Sequence, residues 1–499
     1  MTEKRCIINL LRSPRLAWGV LAAAVLIGAA AALHLFSADT PQPDERLTAA
    51  ARGLPQYDVT LKLLPETREV SLSETILFRN GTGDPLDRIM LRTWLNAFRR
   101  EETSPAAAEE MYDACYPEGF SPGYLTVHDV LWNGSRAAWR YANGDETAME
   151  ITVPSLQPGE EGTLTLRCVA RIPECAHRTG GLNGDFQLGN VIPSLALYQN
   201  HAWRTDEYSA VGDPFLGDCA NYTVHLSMPE GYTAACSAKL AKGGDGLWHG
   251  SVPAARDVAL CLSRDYRVSS ARSGGTLVEA FAKTQDGARR AAEDARKAVE
   301  TFSALYGACP WPYLAVCSVD FPFGGMEYTG LVMIGQGNFL DSKKDTLELT
   351  VAHETAHQWF YALVGSDQVN DPWQDEALCQ YAMLRYVAKR YGQGSFETLK
   401  YYQVDAPMAE AIPGSLTPGS PIDYFGSLAD YSSVVYGRGA ALLLALDEWL
   451  PDGTDAFLRD YVSRFAFRFA TRQDFESLLS DRAGKDCAPL LLDYLDTAH

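Results

Sequence analysis

The sequence predicts a multidomain chain with an N-terminal transmembrane helix, an antiparallel all-β domain and an α+β domain made mostly of helices. Three observations support this fold class. Residues 16–36 form one apolar run, alternating and β-branched residues dominate residues 57–268, and apolar residues at helical spacing begin near Asp286. With 499 residues, the chain is long enough for two or three domains.

The apolar run at residues 16–36 contains one strongly polar side chain, His34, and is long enough to cross a bilayer as a helix. Basic residues precede the run and acidic residues follow it, which places residues 1–15 in the cytoplasm and the remainder outside. A cleaved signal peptide is the alternative, although its apolar region usually has only about 7–15 residues. We expect an uncleaved anchor in the lipid bilayer, followed by a Pro-containing linker at residues 37–52.

Residues 53–268 are predicted to form the β domain. The segments Y-D-V-T-L-K-L from Tyr57, T-L-T-L-R-C-V from Thr163 and Y-T-V-H-L-S-M from Tyr222 alternate in polarity and contain β-branched residues. Clusters of Gly, Asn and Pro separate such segments at short intervals. This pattern of alternating segments and turn residues is typical of antiparallel strands joined by turns.

Residues 269–499 are predicted to form the mostly helical domain. Apolar residues recur at helical spacing from residue 288 to residue 305, with arginine and glutamate between them. Further helices are expected at 347–362, 374–392, 437–450, 455–467 and 473–482.

The composition excludes one class of partner. The net charge is -20 at pH 7, and a nucleic-acid binder needs a basic face for phosphates, so no nucleic acid is expected. Eleven cysteines are present. Cys6 precedes the predicted anchor, and the ten cysteines that follow the anchor are an even number, which permits disulfides without showing any. The spacing of these cysteines matches no zinc ribbon.

The segment V-A-H-E-T-A-H at residues 351–357 carries an H-E-x-x-H pattern. His353 and His357, at i and i+4, lie on one face of a helix and can converge on one ion. Imidazole and carboxylate ligands suit zinc, and Glu376 is the natural third ligand. Glu354 can flank the metal as a general base. The alternative is that the histidines only pack in a core or lie on the surface.

These residues resemble the gluzincin aminopeptidases, the family of aminopeptidase N and leukotriene hydrolase. That family has H-E-x-x-H, eighteen further residues, and then the glutamate of a W-x-x-E segment, which Trp373 and Glu376 match here. The resemblance implies a thermolysin-like metallopeptidase domain with one zinc ion per chain. It also implies a short, membrane-anchored, bacterial-like member.

A second motif, F-G-G-M-E-Y-T-G, lies upstream at residues 323–330. Gly324 and Gly325 allow close approach of the backbone to a ligand. The family has G-x-M-E-N here, and its glutamate binds the free α-amino group of the peptide, so the resemblance assigns this role to Glu327. We expect Glu327 on an edge strand near the metal, and we expect Gly324, Gly325, Met326 and Glu327 to bind the substrate. Tyr328 stands where Asn is commonest.

A third motif, D-Y-S-S-V-V-Y-G-R-G-A at residues 430–440, contains Tyr436 just before Gly437 and Arg438. The resemblance assigns this tyrosine a hydrogen bond to the oxyanion of the reaction. Tyr431 is a second candidate that would line the pocket. Asp375 either orients a metal ligand or is a first-turn acid favoured by the helix dipole.

The sequence thus predicts a zinc aminopeptidase that acts on peptides with a free N-terminus, outside the cytoplasmic membrane. Two other functions are compatible with part of the pattern. One is a zinc endopeptidase, which Glu327 disfavours, and the other is a catalytically silent, anchored peptide-binding protein. The sequence indicates no oligomeric state.

Overall fold

The computed structural model describes residues 44–107, 110–411 and 414–497. The predicted cytoplasmic tail and anchor at residues 1–36 lie outside the described residues. Within the described ranges, no helix is long and apolar enough to cross a membrane. Part of the predicted linker is folded, because helix α1 (Glu45–Ala50) buries Leu47 completely.

The N-terminal part of the described chain is rich in strands, as predicted. Its strands are β1 (Gln56–Leu64), β2 (Glu69–Arg79), β3 (Leu86–Arg92), β4 (Tyr124–Trp132), β5 (Ser135–Arg136), β6 (Trp139–Tyr141), β7 (Ala148–Leu156), β8 (Glu161–Arg171), β9 (Thr179–Gly180), β10 (Phe186–Leu188), β11 (Ser194–Leu195), β12 (Tyr198–Gln199), β13 (Ala202–Trp203), β14 (Ala220–Ser227), β15 (Thr233–Cys236), β16 (Ala241–Lys242), β17 (Trp248–Ala255) and β18 (Leu260–Ser263). One four-residue helix, α2 (Tyr112–Cys115), interrupts them. Buried and exposed positions alternate along β1, β2 and β8, so one face of each strand enters the core.

The largest sheet has eight strands in the order β16-β17-β14-β1-β2-β8-β4-β5. Two four-stranded sheets, β15-β18-β10-β9 and β11-β3-β7-β6, and the pair β12-β13 complete this part. The expectation of an antiparallel domain is wrong at one place, because β1 and β14 pair in parallel. The long stretch of chain between them supplies the crossover that parallel pairing requires.

The C-terminal part combines a mixed sheet with helices. Its strands are β19 (Arg267–Ser273), β20 (Thr276–Ala282), β21 (Tyr313–Val319), β22 (Gly325–Tyr328), β23 (Leu331–Gly335), β24 (Val364–Gly365) and β25 (Arg468–Phe469). Five of them form a sheet in the order β19-β20-β21-β23-β22, which leaves β22 at an edge. The boundary predicted between residues 268 and 269 falls inside β19.

Each of the six predicted helices has a counterpart in this part, and four shorter helices of four to eight residues were not predicted. The helices are α3 (Gln285–Tyr306), α4 (Lys344–His357), α5 (Trp373–Tyr391), α6 (Gln393–Lys400), α7 (Ala406–Ala409), α8 (Leu428–Tyr431), α9 (Gly439–Trp449), α10 (Gly453–Phe465), α11 (Arg472–Ala483) and α12 (Ala488–Leu491). Thr471 and Asp474 form a capping box at the start of α11. Two π-helical segments, Gln358–Leu363 and Ser432–Arg438, follow α4 and precede α9.

The two parts share apolar cores. One core joins Trp94 and Phe215 of the strand-rich part to Met326 and Tyr328 of the edge strand β22. A larger core continues from the eight-stranded sheet to helices α4, α5 and α9. The edge strand and the H-E-x-x-H helix are therefore held against the strand-rich part.

One buried acid in the large sheet has no partner. Glu74 lies in the middle of β2, opposite Val59 of β1 and Leu166 of β8, and is 0% exposed. Neither carboxyl oxygen has a hydrogen-bond partner within the described chain. Burial raises the pKa of Glu74 well above its ordinary value of 4.5, so the folded state favours the neutral acid.

We predict that Glu74→Leu raises the thermal unfolding midpoint, because an unpaired buried polar group costs about 1–3 kcal/mol. The pKa of Glu74 is raised on folding, so the wild type loses stability as the pH rises above the unfolded value. The gain from Glu74→Leu should therefore grow as the pH rises above about 5. Glu74→Gln, which stays neutral, is the matched control. A gain that does not change with pH would contradict this account.

Candidate metal centre and substrate site

Three side chains converge at the junction of α4 and α5, where the sequence predicts the metal ligands. His353 Nε2 lies 3.2 Å from Glu376 Oε2, His357 Nε2 lies 3.5 Å from the same oxygen, and the two imidazole nitrogens are 3.3 Å apart. A tetrahedral zinc ion with ligands at about 2.0–2.1 Å has ligand-to-ligand edges of about 3.3–3.4 Å. The triangle therefore has the size of one face of a zinc coordination shell.

Asp375 supports the metal ligands from behind. Its Oδ1 lies 2.7 Å from Nδ1 of His357, and its Oδ2 accepts a hydrogen bond from the side-chain amide of Gln368. This contact favours Nδ1–H on His357 and leaves Nε2 as the metal-binding nitrogen. Of the two roles left open by the sequence, the geometry supports the orienting one, although Asp375 also lies in the first turn of α5.

Glu354 lies against the backbone of the edge strand β22. A Cβ added at Gly325 would lie 2.5 Å from Cδ of Glu354, so a residue with a side chain does not fit there without movement. Burial raises the pKa of Glu354 to about 7, against the opposing effect of His353 and His357. A carboxylate with a pKa near neutral pH is suited to accept and then return a proton.

Gln358 connects the metal-binding helix to the same strand. Its side chain donates to the backbone oxygen of Tyr328 at 3.0 Å and accepts from the backbone N–H of Gly330 at 2.9 Å. Gln358 directly follows His357, but none of the sequence motifs predicted a role for it. Its only sequence signal is this position, since both of its partners are backbone groups.

Glu327 lies on the edge strand, as predicted, and is 3% exposed. Its Oε1 is buried and has no hydrogen-bond partner within the described ranges. Burial raises the pKa of Glu327 well above its ordinary value. An unpartnered buried carboxyl group beside an open strand edge is suited to a cationic ligand group.

The residues next to Glu327 in the sequence make different contacts. The backbone oxygen of Gly324 accepts from the backbone N–H of Gly335, which starts the pairing of β22 with β23. Met326 packs in the core shared with the strand-rich part. Tyr328, which stands where the family commonly has Asn, donates its hydroxyl to Asn190 Oδ1 at 2.7 Å and so fastens β22 to the strand-rich part.

Tyr436 lies beside the predicted metal ligands. Its ring stacks on that of His353 with centroids 5.5 Å apart, and Tyr431 packs edge-on against it at 5.8 Å. Burial and the carboxylate of Glu376 raise the pKa of Tyr436 well above its ordinary value, so its hydroxyl stays a hydrogen-bond donor. Tyr436 belongs to the π-helical segment Ser432–Arg438, a geometry found frequently at functional sites.

This combination of a buried His-His-Glu triangle, an adjacent acid and a partner-free glutamate on an edge strand defines a metallopeptidase type of centre. Residues 291–494 match the model of the peptidase family M1 domain. Residues 291–494 thus carry an M1 peptidase domain, which confirms the resemblance that the motifs indicated.

Curated relatives match a limited part of this chain. Aminopeptidase N of Lactococcus lactis subsp. lactis is 28% identical over 194 residues, which are 36% of this chain and 22% of the relative. Glutamyl aminopeptidase of Sus scrofa is 24% identical over 289 residues, which are 52% of this chain and 30% of the relative. The matched part spans less than a third of the length of either relative.

Solved structures match far more of the chain. The M1 zinc metallopeptidase from Deinococcus radiodurans superposes with a TM-score of 0.61 at 21% identity, over 89% of this chain and 94% of that one. The likeness shows that the fold, with its strand-rich N-terminal part and helical C-terminal part, is that of M1 peptidases.

We predict that Asp375→Asn weakens zinc binding about 10- to 100-fold, because the amide no longer stabilises the required orientation of His357. Competition with a zinc chelator on the purified protein measures this change without any assay of activity. Asp371→Asn is the matched control, since Asp371 lies four residues earlier and pairs with Arg472 rather than with a ligand. Equal zinc affinities in the two variants would rule out the orienting role.

Proposed function

We propose that this protein is a zinc-dependent aminopeptidase that releases N-terminal residues from peptides with a free amino group. The observation that carries the proposal is the buried carboxyl group of Glu327, whose Oε1 has no hydrogen-bond partner among the described residues and which lies beside the His353–His357–Glu376 triangle. An ammonium group is the natural partner for that carboxylate. An endopeptidase has no use for such a group near the metal.

His353, His357 and Glu376 would hold one zinc ion in a domain of the thermolysin-like α+β type. When bound, zinc supplies Lewis acidity, which polarises a carbonyl group and lowers the pKa of water toward about 7. The close match of the donor triangle to a tetrahedral face supports zinc as the metal. Asp375 fixes the tautomer of His357.

Glu354 acts as the general base of the proposed reaction. Its carboxylate accepts a proton from the attacking water and then transfers that proton to the leaving amine. Tyr436 donates its hydroxyl to the carbonyl oxygen of the scissile bond as that oxygen gains negative charge.

Glu327 and the edge strand position the substrate. An extended peptide can add to the open edge of β22 by backbone hydrogen bonds, as peptides do at other free sheet edges. With its ammonium group held by Glu327, only the bond after the first residue lies beside Glu354. This geometry supports release of one residue at a time.

The proposed location is outside the cytoplasmic membrane, with the chain anchored in the bilayer by residues 16–36. The support is the apolar run and the charge distribution around it. Protease protection in intact cells tests the location, since an external domain is digested while a cytoplasmic marker is not.

We predict that Glu327→Gln lowers kcat/KM for substrates with a free amino group about 10- to 100-fold, because a charged hydrogen bond to the ammonium is lost. Cleavage of the same aminoacyl arylamides with and without a blocked amine is the measurement. Equal losses for both forms would exclude an exopeptidase.

Glu354→Gln should abolish cleavage while zinc stays bound. A wild type that binds zinc but cleaves none of these substrates would indicate a silent binding protein.

We predict that Gly325→Ala lowers turnover about 100-fold, because the new methyl group displaces the carboxyl group of Glu354 by the order of 1 Å. Zinc content should stay unchanged, since neither Gly325 nor Glu354 is a proposed zinc ligand. Gly337→Ala is the control, because a Cβ at Gly337 meets no described atom within 4 Å. Unchanged turnover in Gly325→Ala would show that Glu354 is not held by this contact.

A further inference from the structure

A buried arginine lies beside the proposed amine site and plays no part in the mechanism above. Arg178 follows β8 and is 11% exposed in its side chain. Its Nη1 forms an ion pair with Asp213 and approaches the sulfur of Met326 at 3.0 Å. The guanidinium carbon lies 5.3 Å from the ring centre of Phe215. Arg178 thus contacts the residue that directly precedes Glu327.

One edge of this guanidinium, formed by Nε and Nη2, has no acceptor. Nε is buried and makes no hydrogen bond, and Nη2 makes none either within the described part of the chain. The same edge binds carboxylates elsewhere in this protein. Nε and Nη2 of Arg204 donate to Asp206 at 3.0 and 2.9 Å, and those of Arg385 donate to Asp455 at 3.1 and 2.7 Å. The Nε–Nη2 edge of Arg178 has the geometry for a carboxylate and lacks one.

The ion pair with Asp213 does not prevent a second carboxylate from binding. A guanidinium has five N–H donors, and Arg204 pairs with Asp206 and Asp367 at once. A further unpartnered donor lies close by, because the hydroxyl of Tyr208 is buried without a hydrogen bond to any described residue. The Tyr208 ring packs against Phe215, 5.4 Å between centroids, next to Arg178.

The unpartnered groups form a complementary pair of charges. Oε1 of Glu327 lacks a donor, and the Nε–Nη2 edge of Arg178 lacks an acceptor. Met326 and Glu327 point to opposite faces of β22, and β22 is an edge strand, so a ligand on its open edge can reach both faces. Unpaired buried groups are costly, and one ligand with an ammonium and a nearby carboxylate satisfies both.

We propose that Arg178 selects an acidic first residue, with the side-chain carboxylate of an N-terminal Asp or Glu bound at its Nε–Nη2 edge. The inference rests on the proposed aminopeptidase function and adds the substrate class. Asp213 is the positioning residue, since it pairs with Nη1 and leaves Nε and Nη2 without an acceptor among the described residues. Glu327 binds the ammonium group of the same residue.

The test compares glutamyl and glutaminyl arylamides, which have nearly the same shape and differ in charge. Full-length wild type in detergent should show a kcat/KM at least about tenfold higher for the glutamyl substrate. Arg178→Gln should reduce this ratio at least about tenfold. The variant should still bind zinc and still cleave the glutaminyl substrate. A wild-type ratio near one, or a ratio that Arg178→Gln leaves unchanged, overturns the inference.

Arg68→Gln is the matched control. Arg68 is 12% exposed and donates to the backbone oxygens of Pro173 and Gly181 on either side of Arg178, without contacting Met326. Its variant should lose stability and keep the substrate ratio, so a ratio that falls equally in both variants also overturns the inference. If the zinc-loaded wild type cleaves neither arylamide, the proposed aminopeptidase function fails first. The ratio of kcat/KM for the glutamyl and glutaminyl arylamides in the wild type tests the inference even if Arg178→Gln does not fold.

Discussion

The close contact between the metal-binding helix and the edge strand is the constraint on which the site depends. Gly325 lacks a side chain, so the carboxyl group of Glu354 can lie directly against the backbone of β22. Gln358 reinforces the contact with two hydrogen bonds to backbone groups around the end of the same strand. As a result, the proposed general base, the metal ligands and the open strand edge share one small volume, and a peptide added to that edge lies next to all of them.

The charges in this volume explain what the site is suited to bind. Four carboxyl groups are almost fully buried, those of Glu327, Glu354, Asp375 and Glu376. Burying a charge is costly unless an opposite charge or a metal compensates it. In the proposed reaction, a zinc ion beside Glu376 and a substrate ammonium group beside Glu327 would provide this compensation at two separate points. The Nε–Nη2 edge of Arg178, which has no acceptor among the described residues, is where we propose that a substrate carboxylate binds.

Much of the architecture follows from local patterns. The strand-rich part and the longer helices from residue 285 onward were predictable, because alternation and helical spacing act over a few neighbouring positions. The edge position of Glu327 was expected only through the family motif, since the order of strands in a sheet depends on distant residues. The parallel pairing of β1 with β14 was not predictable, since it depends on which distant strands meet. Likewise, Gln358 and Asn190 make contacts that the sequence does not signal, because a glutamine or asparagine is equally common on a solvated surface. The membrane anchor, at residues 16–36, stays a prediction.

The amino-acid sequence alone was sufficient to predict that His353 and His357 lie close together, because two histidines one helical turn apart share a face in any α-helix. It was also sufficient to identify Glu376 and Glu327 as partners of that helix, through their motifs. Folding in three dimensions was needed for three other features: the contact of Asp375 with His357, the stacking of Tyr436 on His353, and the approach of Arg178 to Met326. In the last two, packing brings together residues more than 80 positions apart, and packing depends on the whole core rather than on any local spacing.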